Sequence, residues 1–332
     1  MPSVAHRFTF SSPGLRAVVL SLVVGLALIC APLAAQGGDL GYHIDDANDA
    51  RIGFGQKWDL RRIEAAVYDD VLSVAISTQS EEYDLPDPNL PDLGGVNVFA
   101  PRIDLDTDQN AATGDRSTAF EFFGAPDVLG VDYFVDFLSY DPVSGTVLVK
   151  NDLAQTTGTA EVFFGSFLSG IPGQFMFVDI PLQALGNDDG RVHVSVVSGD
   201  RFEYADVAPD DSFIISRLES EVLVRGGRFL ITLDWKNQLG AEGAAHPVFT
   251  SEDSTLLQFF SRDNWEMVVK VLDGCPINGF FWVYFGGPTD VEFTLTVTDL
   301  LTGVSKDYFN PLGTAAPAVR DIGAFPTCGG QI

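Results

Sequence analysis

Histidine, methionine, cysteine and basic residues are all scarce in this chain. Its 332 residues include 4 His, 3 Met and 3 Cys, and 19 Lys and Arg stand against 46 Asp and Glu, a net charge of −27. So few bases argue against nucleic acid and anionic membrane surfaces, since both are held by basic patches. So few histidines leave little material for a zinc site or a Ser-His-Asp triad. The sequence contains no G-x-S-x-G elbow, no H-E-x-x-H and no phosphate-cradling glycine loop. A pair of carboxylates for glycoside cleavage cannot be picked out in so acidic a chain. The expectation is a protein that is not an enzyme.

A helical period is also missing. "IPLQALG" (180–186) reads as one short turn, and nothing else sustains a 3.6-residue repeat. What is present instead is alternation. "RIEAAVYDDVLSVAIST" (62–78) reads as two strands turned at Asp69 and Asp70, and "VDYFVDFLSYDPVSGTVLVK" (131–150) repeats the plan. "GRVHVSVVSG" (190–199) and "RFLITLDW" (228–235) read as further strands. In "VEFTLTVTD" (291–299), Val291, Phe293, Leu295 and Val297 share one face, with Glu292 and three threonines on the other. The fold class expected is all-β, as two tandem antiparallel β-sandwiches.

The first 35 residues stand apart. Arg7 and Arg16 precede the apolar run "AVVLSLVVGLALI" (17–29), and "APLAA" offers small residues for cleavage near Ala35. Residues 1–35 are therefore expected to be a signal peptide, with an uncleaved anchor as the alternative. Ile29 is too bulky for Cys30 to be a lipid-modified cysteine. The expected location is secreted, extracellular or periplasmic, without membrane attachment after cleavage; with no anchor signal after Cys328, a freely released protein is expected. Removing the leader leaves 17 bases against 46 acids. Residues 36–220 hold 33 acids and 10 bases, while 221–332 hold 13 and 7, so the acidity is concentrated in the first part. The expected domains are 40–217 and 221–330, with the boundary near "SRLESEVLV" (216–224). The loop 79–95, rich in acids and prolines, is expected to be exposed. Cys275 and Cys328 remain as an even pair, which in an exported protein suggests one disulfide stapling the second domain.

"DLDTDQNAATGD" (104–115) carries the most specific signal. Asp104, Asp106, Asp108, Asn110 and Asp115 occupy the ligand positions of a twelve-residue calcium loop. Position six is Gln109 rather than glycine, position twelve is Asp rather than Glu, and no helices flank the loop, so it is not an EF-hand. A strand with Ile103 and Leu105 inward and Asp104 and Asp106 outward, turning through "TDQNAATGD", fits better. Asp106, Asp108 and Asn110 then lead as ligands for a structural calcium ion, followed by Asp115 and Asp104. Asx-turn hydrogen bonds at Asp108 and Asn110 are the alternative.

"DDANDARIGFGQKWDLRRIEAAVYDDVLSVAI", the acidic loop, "GVDYFVDF" (130–137) and "IPLQALGNDDGRVHVSVV" (180–197) together resemble secreted bacterial β-sandwiches of the DOMON and family-nine carbohydrate-binding-module type. The resemblance covers about 40–217. It implies a sandwich that binds sugar, haem or metal. Haem would need axial ligands, for which His43 and His193 are the material; His193 reads as an ordinary strand residue. The second part, with "VVKVLDGCPINGFFWVYFGGPTDVEFTLTVTD" and "FPTC", resembles an uncharacterised module of secreted bacterial proteins. Phe280, Phe281, Trp282, Tyr284 and Phe285 alternate, so some are core and the rest are candidates for sugar stacking; Trp58, Trp235 and Trp265 pose the same choice. Two functions follow. One is an extracellular binder, with carbohydrate first among ligands. The other is a structural or adhesive spacer that meets protein partners. A concave face with exposed aromatics favours the first, and a face of threonines and acids alone favours the second.

Overall fold

The computed structural model describes residues 39–45, 49–50, 55–80, 83–87, 89–90, 98–165, 175–200, 202–261 and 263–329. The expected signal peptide and part of the 79–95 loop lie outside them. The all-β expectation holds. Strands β1 (Asp39–Leu40), β2 (Tyr42–Ile44), β3 (Leu60–Tyr68), β4 (Val71–Thr78), β5 (Arg102–Asp106), β6 (Asp115–Arg116) and β7 (Gly130–Val131) come first. They are followed by β8 (Tyr133–Asp141), β9 (Thr146–Asn151), β10 (Thr156–Gly165), β11 (Phe175–Pro181), β12 (His193–Gly199), β13 (Tyr204–Ala208) and β14 (Ile214–Ile215).

Twelve of these strands make one hydrogen-bonded sheet in the order β1-β14-β12-β5-β8-β9-β10-β11-β4-β3-β2, with β13 alongside β12, while β6 and β7 form a separate pair. The sheet returns on itself. Its two ends, β1 and β2, are joined through Gly41, whose φ of 81° supplies the bend. Arg217 also bridges to Ala66 of β3, just beyond β14. The main core of the fold has Ile63, Leu72, Ile76, Ile103, Leu105, Phe137, Val149 and Val178 among its fully enclosed side chains. The β3–β4 turn falls at the expected aspartates, which take φ of 47° and 64°. Both central residues are then left-handed, as the twist of a tight hairpin requires. Pairing is antiparallel except for β1 with β14 and the Ala66–Arg217 bridge.

From residue 222 onward the chain builds two five-stranded sheets. One joins β15 (Val222–Val224), β16 (Phe229–Lys236), β17 (Glu242–Ala244), β22 (Glu292–Asp299) and β23 (Val304–Asn310). The other joins β18 (His246–Thr250), β19 (Ser254–Gln258), β20 (Trp265–Asp273), β21 (Phe281–Gly286) and β24 (Val319–Phe325). Phe229, Ile231 and Leu233 of the first meet Val269, Val271, Val283 and Phe325 of the second in one core. Cys275 and Cys328 are disulfide-bonded, as expected, with Cα atoms 5.6 Å apart.

The core changes between Ile214 and Val222, at the expected boundary. The chain does not part there: residues 37–332 form one compact unit. Leu40, Leu129, Val131, Phe213 and Ile215 pack with Leu223, Leu230 and Leu300, so apolar side chains cross the boundary. The segment 216–221 is itself tied down. The Ser216 amide donates to Val192 O, Arg217 exchanges backbone hydrogen bonds with Ala65 and Val67, and Arg191 grips Glu221 at 2.7 Å. Among the described residues no helix is long and apolar enough to cross a membrane.

Candidate functional site: an acidic loop and an aromatic cleft on one strand

Strand β5 carries the candidate site. Ile103 and Leu105 point into the core, as the alternation demands. Asp104 and Asp106 do not reach solvent as expected; both are fully buried. Asp104 is accounted for by protein partners: Arg102 Nε donates to it at 2.7 Å and the Thr118 amide at 2.7 Å. Segment 117–123, which ends in the helical turn Ala119–Phe123, covers that face of the strand.

Asp106 is different. Its Oδ1 accepts from the Asn110 amide at 3.2 Å, but its Oδ2 accepts no hydrogen bond. His193 Nδ1 stands 3.6 Å away, and His193 Nε2 is likewise buried and unbonded. The imidazole stacks on Phe213, with ring centres 4.0 Å apart. His193 lies on β12, as expected; that strand is buried on both faces, and the imidazole borders the acidic loop at Asp106.

The carboxylates that converge are Asp106, Asp108 and Asp132, each with a ligand atom within 4.8 Å of the others'. Asp108 accepts from Thr113 Oγ1 and from the Asn110 amide. Asp132 Oδ2 accepts from the Thr107 amide, Thr107 Oγ1 and the Asp108 amide. Asn110 lies in the same turn, but its side-chain oxygen accepts from the Ala112 amide. Asp115 is exposed on β6, paired with Val131, and neither it nor Asp104 joins the converging group. Gln109 takes the left-handed conformation, φ 53°, that the glycine of a calcium loop would supply. Its side chain donates to Thr107 O and, at 2.5 Å, to Arg191 O, which holds the turn closed.

Asp132 escaped the sequence reading because its place depends on register. Leu105 of β5 pairs with Tyr133 of β8, which sets Asp132 across from Asp106. The sole signal in the sequence is an aspartate directly before a strand, within "GVDYFVDF". Nearby, burial above all raises the Asp188 carboxyl above its ordinary value; the Gly190 amide opposes this, and the charges of Asp189 and Asp132 add to it.

The other end of β5 opens into a cleft of about 480 Å³. Arg102, Phe122, Phe134, Asp136, Lys150, Phe202 and Tyr204 are among its walls. Phe122 and Phe202 are exposed by 50% and 59%. Phe122 meets Tyr204 edge-on with ring centres 5.0 Å apart, and the Arg102 guanidinium lies 3.8 Å over Phe134. Lys150 and Asp136 pair at 2.5 Å. Aromatic walls with a few convergent polar groups are the usual make-up of a small-ligand pocket.

The other aromatic candidates sort differently. Phe281 and Phe285 are core, while Trp282 lies half-buried and bonds Asn278 Oδ1 through Nε1 at 2.8 Å. Trp58 is core, Trp235 packs against Phe259 and Phe260, and Trp265 is exposed. No family model, curated protein or solved structure matches the chain. The functional reading therefore rests on this geometry.

Proposed function

We propose that this is a non-catalytic, exported binding protein whose cleft at Arg102, Phe122, Phe202 and Tyr204 takes a carbohydrate, and whose acidic loop holds a structural calcium ion. The cleft carries the reading. A sugar presents apolar C–H faces and a rim of hydroxyls; exposed aromatic rings match the faces, and the Arg102, Asp136 and Lys150 side chains match the hydroxyls. The disulfide suits an oxidising compartment.

The all-oxygen donor set of Asp106, Asp108 and Asp132 suits a hard cation. Asp106 Oδ2, buried and unbonded, is the atom such an ion would satisfy. Loop and cleft are mechanically linked. Asp106 and Arg102 end the same strand, and the chain leaving the loop runs directly into the turn that carries Phe122. A cation that fixes the loop therefore also fixes one wall of the cleft.

Thermal unfolding with 1 mM calcium, then with excess chelator, tests the ion. A site of roughly 10 μM affinity adds about 2.7 kcal/mol, a midpoint rise of roughly 4–5 °C if the whole unit unfolds together. The loop's share of the rise should be lost in an Asp106→Ala, Asp108→Ala variant. Titration of soluble glycans with calcium present tests the cleft; Phe122→Ala and Phe202→Ala should each weaken binding about tenfold or more. If no glycan binds, the spacer reading prevails. The wet face of β22 is mixed: Thr296 and Thr298 bond Asp307 and Ser305, while exposed Phe309 stands opposite Thr294.

A further inference from the structure

A second group of carboxylates, sharing no residue with the loop on β5, gathers where the sheet closes. Asp45 ends the run after β2, Asp206 lies within β13, and Asp49 lies between β2 and β3 in sequence; each offers a ligand oxygen within 4.8 Å of the others'. Asp45 and Asp206 are buried while Asp49 is exposed, so the group has one open side. Asp206 is anchored, accepting from the Leu60 amide at 2.7 Å and the Val207 amide at 3.0 Å. The backbone at Asp49 is anchored too, because buried Asp59 accepts from the amides of Asp49 and Ala50 at 3.1 and 3.2 Å.

Asp45 is the exception. Its side chain is wholly removed from solvent, yet neither carboxylate oxygen accepts a hydrogen bond. His43 Nε2 stands 3.5 Å from Oδ1 without hydrogen-bond geometry. A buried carboxylate is normally paired or hydrogen-bonded, because its desolvation is otherwise uncompensated. His43 is itself shared with Asp39, whose Oδ2 lies 2.8 Å from Nδ1. We infer that Asp45, Asp49 and Asp206 form a second divalent-cation site of the calcium class, binding the chain after β2 to β13. The donors are all carboxylate oxygens, which suits a hard ion, and the exposed side leaves room for water ligands.

Equilibrium dialysis of the purified, chelator-stripped chain against calcium alone decides the matter. Two ions per chain are expected, one of them remaining in an Asp108→Ala, Asp132→Asn variant. That remaining ion should be lost in Asp49→Asn, whose exposed position makes misfolding a poor explanation, and folding is checked by far-ultraviolet circular dichroism. Asp45→Asn supplies a second readout: it should raise the chelated protein's melting midpoint by removing the buried charge, and shrink the calcium-induced rise. One ion per chain, abolished by the loop variant and untouched by Asp49→Asn, overturns this site and leaves the loop. One ion that survives the loop variant and is lost in Asp49→Asn upholds this site and overturns the loop instead.

Discussion

Asp321 joins the two sheets of the second half at their free margin. It projects from β24, the last strand of one sheet, and takes Lys306 at 2.6 Å and the Tyr308 hydroxyl at 2.9 Å from β23, the last strand of the other. The Gly323 amide donates to its second oxygen at 3.1 Å. Partial burial raises its pKa, but the bonds from Lys306, Tyr308 and Gly323 outweigh that and hold the carboxyl below its ordinary value. A depressed folded-state pKa means stability that is complete above the unfolded carboxylate value, near 4, and is lost as pH falls through the lower, folded one. Asp321→Asn should therefore cost about 1–2 kcal/mol at pH 7. The difference between variant and wild type should shrink below about pH 4. Urea unfolding at pH 7 and pH 3 measures both; a difference that persists undiminished at pH 3 would refute the electrostatic account.

At the scale of the element, the acidic loop is shaped as much by its neighbour as by its own aspartates. Strand β7 runs so close beneath it that a side chain at Gly130 would collide with the carbonyls of Thr113 and Asn110. Both atoms belong to backbone, which cannot swing aside as a flexible side chain can. Gly130→Ala should therefore push the loop off its seat, costing about 1–3 kcal/mol and weakening the calcium-dependent rise in melting midpoint. An alanine variant with wild-type stability and calcium response would mean that the loop can shift freely. The sequence predicted such elements well where one face is wet. Alternation in β22 and the paired aspartates of the β3–β4 turn were enough. β12 is a strand as expected, but with both faces covered its alternation says nothing about which side chains meet. Asp106 and Asp108 were readable from local spacing, whereas Asp132, Asp206 and the aromatic cleft depend on which strands pair, a long-range outcome that spacing does not encode.

Across the whole molecule, the two cores pose a question of cooperativity. Composition and the strand pattern suggested two tandem domains with a boundary near 216–224, but Ser216, Arg217 and Glu221 of the connection are hydrogen-bonded into the first half. Apolar side chains from both halves meet around Phe213 and Ile215, and the Tyr42 hydroxyl donates across to Gly226 O. Opening one half would therefore expose surface belonging to the other, which favours a single transition over two. The disulfide tests this coupling. Cys275–Cys328 closes a long loop wholly within the second half, so replacing both residues by serine should cost about 2–4 kcal/mol, chiefly by freeing the unfolded chain. If the halves are coupled, calorimetry shows one endotherm that moves down as a unit, and the calcium-dependent rise set in the first half persists on the shifted curve. If they are not, a second, lower endotherm separates in the serine variant while the calcium-sensitive one stays in place. The covered boundary around Phe213 and Ile215 argues for the first outcome, because it offers no seam along which the second half can open without stripping apolar side chains of the first.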